Sequence, residues 1–88
     1  MNIGILGAGN IAATMATTLQ SLKNVTCYAV AAREKKRAQA FADKFGFQVA
    51  YGSYVDMLSD PNVHLVYIAT PHSHHYEHIK MCLKHGKH

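Results

Sequence analysis

Apolar positions along this chain fall into two alternating textures. Runs such as "NIGIL" (residues 2–6), "VTCYAVAA" (25–32) and "HLVYIAT" (64–70) are nearly continuous, as in strands covered on both faces. The segments between them space their apolar residues three and four apart, as helices do. "NIGIL" meets Gly7 at once and predicts a first strand. After the glycines, Ile11, Met15, Leu19 and Leu22 recur at helical spacing beside the small Ala12 and Ala16. The second strand, 25–32, gives way to "REKKRAQAFADKFGF", helical through Ala38, Phe41, Ala42 and Phe45 and closed by Gly46 as a C-cap. Residues 47–50 predict a brief third strand. Ser53, with Asp56 three residues on, has the form of a capping box opening a short helix through Tyr54, Met57 and Leu58, and "DPN" (60–62) is a turn. Pro71 stops the fourth strand, and a last helix capped by Ser73 carries Tyr76, Ile79, Cys82 and Leu83 on its apolar stripe down to Gly86.

Four strands alternating with four helices predict an α/β fold, a parallel sheet with right-handed crossovers. Composition narrows this. With 88 residues, a single domain over 1–88 is the ceiling, and 49% hydrophobic against 16% charged residues with only two prolines excludes disorder. The formal charge of +4 invites an anionic partner. No long basic run or aromatic-basic ladder accompanies it, so a compact phosphorylated ligand is expected rather than nucleic acid. No apolar run approaches the ~20 residues of a membrane span, and no basic segment leads into a long apolar core, so a cytoplasmic protein without membrane contact is expected. Cys27 and Cys82 lack Cys-x-x-Cys spacing and are read as reduced core residues.

The chemistry starts at "GAGNIA", Gly7 to Ala12, a G-x-G-x-x-A pattern directly after a strand and at the head of a helix. Gly7 permits the tight turn, Gly9 lets the backbone approach a pyrophosphate, and Ala12 lets the helix pack near the strand. The helix start at Asn10 and Ile11 offers free N–H groups and a positive dipole end to phosphates. The turn sits inside the strand–turn–helix–strand unit that dinucleotide binding requires. That context makes the expected architecture a partial, Rossmann-like doubly wound sheet of order 3-2-1-4. Strand four then lies at an edge, and self-association through residues 64–70 is expected.

The end of the second strand handles the adenosine ribose in such folds. An acidic residue there receives the 2′-hydroxyl of NAD, whereas an arginine accommodates the 2′-phosphate of NADP. Here the order is Ala31, Ala32, Arg33. Arg33 and Arg37, four apart, are expected on one face at the N-terminal end of the second helix, where positive charge opposes the helix dipole. That placement makes sense if a phosphate arrives, so NADP is expected over NAD. Glu34 keeps NAD open, since a rotated turn would present its carboxylate to the ribose.

Together, "GAGNIA", "AAREKKRAQAFADKFG", "YGSYVDMLSDPNVHLVYIATPHSHHYEH" and the terminal "CLKHGKH" resemble the Gfo/Idh/MocA family, which includes glucose-fructose oxidoreductase, inositol dehydrogenase and dihydrodiol dehydrogenase. The resemblance spans nearly the whole chain. It implies that a Thr-Pro-Asn-x-x-His segment after strand four lines the nicotinamide end of the cofactor. Thr70 and Pro71 match it, His75 matches its histidine, and His72 replaces its asparagine. It also implies a fifth strand with a Glu-Lys-Pro motif, whose lysine is tied to catalysis, and a C-terminal substrate domain. The sequence stops at His88 before both, so no catalytic residue is assigned and no turnover is expected from this chain alone.

Four histidines within residues 72–78 also suggest a metal site. Glu77 is the sole carboxylate among them and no cysteine stands within the cluster, so the expectation is a cofactor-side loop, with His75 in the pocket and His74, His78, His85 and His88 solvated. The leading expectation is therefore the cofactor-binding portion of an NAD(P)-dependent oxidoreductase acting on a sugar-like or cyclic alcohol or carbonyl. The alternatives are a non-catalytic NADP-sensing module and, last, a nucleic-acid-binding protein.

Overall fold

One parallel sheet, with helices on both faces, organises the chain. The computed structural model describes residues 1–69, 75–84 and 86. In order these form β1 (Asn2–Leu6), α1 (Asn10–Gln20), β2 (Thr26–Ala31), α2 (Lys35–Phe45), β3 (Val49–Tyr51), α3 (Tyr54–Leu58), β4 (Leu65–Ile68) and α4 (His75–Lys84). The strand order is β3-β2-β1-β4 with every pair parallel, as the alternating pattern predicts.

The two faces are filled differently. Against α1 and α2 the sheet presents Ile5, Val30 and Ala50, met by Ala12, Ala16, Ala38, Phe41 and Ala42. The alanines bring α1 close to the sheet, because they add almost nothing between backbone and backbone. Against α3 and α4 it presents Leu6, Ala29, Ala31 and Val66, met by Met57, Leu58 and Cys82. Gly4 belongs to this packing, since a Cβ there would lie 3.0 Å from Val63 Cγ1 and 3.1 Å from Met57 Sδ.

Several expected details differ. α1 buries Ala12 and Ala16, whereas Ile11 and Leu22 are exposed, because the close helix-to-sheet approach selects the small stripe over the large one. β3 begins at Val49, since the N–H of Phe47 still closes the end of α2 by donating to Ala42 O at 3.0 Å. Gly46 does cap α2 with φ 76°, the left-handed conformation that glycine adopts freely. Ser53 is the N-cap of α3, but no side-chain capping bond forms, so the capping box is absent. β4 is not covered on both faces. Val66 is buried against α3 and α4, while Leu65 and Tyr67 are each 37% exposed on the other face.

A bulge shapes the polar interior. Ile3 pairs with Cys27 but Gly4 pairs with Ala29, so Tyr28 is the extra residue and shares a face with Ala29. Its hydroxyl donates to Asp60 Oδ2 at 3.0 Å, and that of Tyr51 donates to the same oxygen at 2.6 Å. Asp60 Oδ1 meanwhile accepts from the N–H of Asn62 at 2.8 Å, fixing the turn before β4. Burial first, and then the Asp60 carboxylate, push the Tyr51 phenol up to about 12.

Candidate functional site

The site lies at the C-terminal ends of the strands, where β1, β2 and β4 release their loops. Gly7 leaves β1 with φ 106°, a conformation open to glycine, and its N–H donates to Ala31 O at 2.7 Å, tying the turn to β2. Gly9 then serves as the N-cap of α1, with an ordinary φ of −95°. A Cβ on Gly9 would meet nothing within 4 Å. Neither backbone strain nor internal packing therefore demands glycine at this position, and what it preserves is open space in front of the α1 terminus.

The first-turn N–H groups, including those of Asn10, Ile11 and Ala12, have no acceptors within their own helix. The first turn of α1 contains no acidic residue, so the positive end of the dipole is uncompensated. Ala12 is fully buried against the sheet, and Ile11 is 59% exposed beside the turn. This cradle fits a pyrophosphate.

A cleft of about 340 Å³ adjoins the cradle, with Ala8 and Gly9 on one side and Ala32, Arg33, Glu34 and Arg37 on another. Arg33 is not on α2 as expected. It stands in the link after β2, because the backbone stays extended through Glu34, the N-cap, and the helix begins only at Lys35. Arg33 and Arg37 nevertheless reach the same cleft, since the link turns Arg33 back toward the first turn of α2. Both are exposed, and neither guanidinium has a hydrogen bond or ion pair among the described residues. Glu34 lines the cleft too and makes no side-chain cap bond to α2.

Residues 1–88 match the Gfo/Idh/MocA family, an oxidoreductase family with an NAD-binding Rossmann fold. The chain belongs to that family. Among its relatives, trans-1,2-dihydrobenzene-1,2-diol dehydrogenase of Mus musculus is 46% identical over 96% of this chain and 26% of its own length. The Sus scrofa enzyme of the same name is 42% identical over the same shares. A 3-ketoreductase from Actinomadura kijaniata, solved with TDP-benzene and NADP, superposes with TM-score 0.92 at 29% identity, over 100% of this chain and 28% of that one. Scyllo-inositol dehydrogenase from Lactobacillus casei, solved with NAD(H) and scyllo-inositol, shares the fold with TM-score 0.88 at 22% identity, over 100% of this chain and 26% of that one. The chain thus spans about a quarter of the length of the relatives it matches.

Within this Gfo/Idh/MocA chain, Gly7, Gly9, Asn10, Ile11 and Ala12 form the cradle, and Ala32, Arg33 and Arg37 its neighbouring cleft. Thr70, Pro71 and His72 lie outside the described residues, as does His74. His75 opens α4, but its side chain is outside the description. Among the described residues no three His, Cys, Asp or Glu side chains converge on a point that could hold a metal ion. No described helix is long and apolar enough to cross a membrane. Cys27 and Cys82 are free, and burial pushes both thiols up, away from a reactive thiolate.

Two residues change role. His78, expected on the solvated face, is only 5% exposed, and Ile79, expected in the apolar stripe, is 48% exposed. α4 is rotated so that His78 and Cys82, four apart, both face inward. The His78 ring meets Tyr54 edge-on, with centroids 5.0 Å apart and planes at 76°. Tyr54 in turn lines the cleft with Ala69. Its only sequence signal was a place in the apolar pattern of α3, which reads as core.

Proposed function

We propose that these 88 residues are the N-terminal, cofactor-binding part of an NADP-dependent oxidoreductase, with the substrate-binding domain lying beyond them. The observation that carries this is Gly9, a glycine kept open at a helix N-terminus, next to two guanidiniums that have no partner among the described residues. The α1 cradle takes the pyrophosphate, Ala32 gives the ribose room, and Arg33 and Arg37 hold the 2′-phosphate by charge-assisted hydrogen bonds. Thr70, Pro71, His72 and His75 receive the nicotinamide end, a reading that rests on the family motif.

The bound cofactor supplies the hydride chemistry, and this part of the protein positions it. The whole enzyme oxidises or reduces a hydroxyl or carbonyl carbon of a sugar-like or cyclic alcohol. In support, the relatives are named diol and inositol dehydrogenases and a ketoreductase. The 88 residues alone are inactive in this reading, and a purely regulatory nucleotide-binding role is disfavoured by the same relatives. Titration with NADPH and NADH tests the cofactor assignment. NADPH binding at least about tenfold tighter is expected from a charge-assisted phosphate contact, and the reverse order would overturn it.

NAD is the second reading, and Glu34 favours it, because its carboxylate lines the same cleft and could accept from a ribose hydroxyl. The two free thiols, Cys82 buried and Cys27 half-buried, suit a reducing compartment such as the cytoplasm. The outer edge of β4, with Leu65 and Tyr67 half-exposed, suits pairing with a second copy of the chain. Sedimentation that finds only monomer at high concentration would overturn that pairing.

A further inference from the structure

The cleft has a chemical division that the phosphate contacts do not use. Arg33, Glu34 and Arg37 give the cleft a charged lining with positive charge in excess, whereas Tyr54 and Ala69 give it an apolar lining. A ligand with a phosphorylated ribose and a flat base matches this division, with the base on the apolar side. Tyr54 comes from α3, in the helical layer on the far face of the sheet from α1 and α2, so its distance from Arg37 depends on how α3 is anchored.

Two contacts anchor it. Gly52 presses the turn before α3 onto the start of α2, where a Cβ would lie 3.0 Å from Lys35 Cβ and 3.2 Å from its backbone N and Cα. From the other side the buried His78 ring holds Tyr54 edge-on at 5.0 Å. Gly52 fixes the backbone, and His78 fixes the ring.

We propose that His78 is a positioning residue for the cofactor, acting through Tyr54, and that the Tyr54 ring is the surface against which the adenine base rests. The proposal rests on the dinucleotide reading above and goes beyond it in giving α4 a part in recognising the adenosine half. An edge-on aromatic pair is strong enough to hold one ring orientation. A base resting on an aromatic ring contributes enough that its loss is measurable in binding.

The test is binding of NADPH and NADH to the 88-residue chain, with the tighter of the two carried forward. Tyr54→Ala should weaken binding about tenfold through the lost base contact. His78→Ala should weaken it about fivefold, and His78→Phe, which keeps a ring edge, should restore it to within about twofold. The double variant should bind no worse than Tyr54→Ala alone, the non-additivity expected when one residue acts through the other. In the unmutated protein, nuclear Overhauser effects should connect adenine H2 or H8 with the Tyr54 ring protons, which decides the base contact even if an alanine variant fails to fold. Cofactor that binds without those effects, a His78→Ala variant that binds normally, or strictly additive losses would each overturn the proposal while leaving dinucleotide binding intact. Failure of the unmutated chain to bind either cofactor would overturn both readings.

Discussion

The Tyr28–Tyr51–Asp60 cluster and the Arg33–Arg37 cleft are both polar groups set against an apolar sheet, and they are completed in opposite ways. In the first, two phenols share one carboxylate oxygen, while the other oxygen takes a backbone N–H. That cluster joins β2, β3 and the turn before β4, and its polar atoms find their partners inside the protein. In the second, two guanidiniums and a helix N-terminus converge on open space with no acidic side chain in the first turn of either α1 or α2. A group satisfied internally serves the fold, whereas two guanidiniums left facing a cleft, with the Glu34 carboxylate beside them, are open to a ligand.

The largest expected effect falls on the satisfied cluster. Asp60→Ala strands two hydroxyls and frees the turn, which should lower unfolding free energy by about 1–3 kcal/mol in urea melts. Cofactor affinity at a temperature where the variant is folded should be unchanged, and a large loss of affinity would mean that the two regions are coupled.

Arg37→Gln addresses the other region. NADPH affinity should fall about tenfold, as expected for one lost charge-assisted contact, with NADH affinity nearly constant. Stability should hold or rise by about 0.3–1 kcal/mol, since a positive charge leaves a helix N-terminus. A thermal melt and a two-cofactor titration read both quantities. Gly9→Ala sharpens the contrast further. The added methyl has open space in the free protein, so the unfolding free energy should stay within about 1 kcal/mol of the unmutated value, the usual helix-start tolerance. Cofactor binding should nonetheless weaken about fivefold or more, because the pyrophosphate must approach that backbone. Unchanged binding would remove the main support for the cradle.

The smallest effect is in alkaline pH. Folding raises the Tyr51 phenol from 10.0 to about 12, so the folded state holds a proton there that the unfolded state gives up. The stability this contributes is complete below pH 10 and is lost as pH rises from 10 through about 12. Melts of Tyr51→Phe should lack that part of the decline.

Much of this is legible in the amino-acid sequence. Continuous apolar runs alternating with helical spacing determined the four strands and the four helices, and the glycine turn after the first strand pointed to the order β3-β2-β1-β4. The position of "GAGNIA" directly after β1 determined the cradle, and Arg33 and Arg37 were close enough in sequence to be placed at one cleft even though Arg33 is outside the helix. These features depend on residues within a few positions of each other, where backbone geometry carries the information.

What tertiary structure alone decided depends on distant partners. A bulge opposite Ile3 and Gly4 turned Tyr28 onto the face where it could reach Asp60, 32 residues away. α4 carries apolar and polar side chains on more than one face, so its own periodicity allowed Ile79 to point inward. The packing against α3 selected His78 and Cys82 instead. Tyr54 became a cleft wall because Gly52 lets its turn lie against the start of α2. Local sequence limits the orientations each element can adopt, and only the mutual exclusion of closely packed side chains from different elements chooses among them.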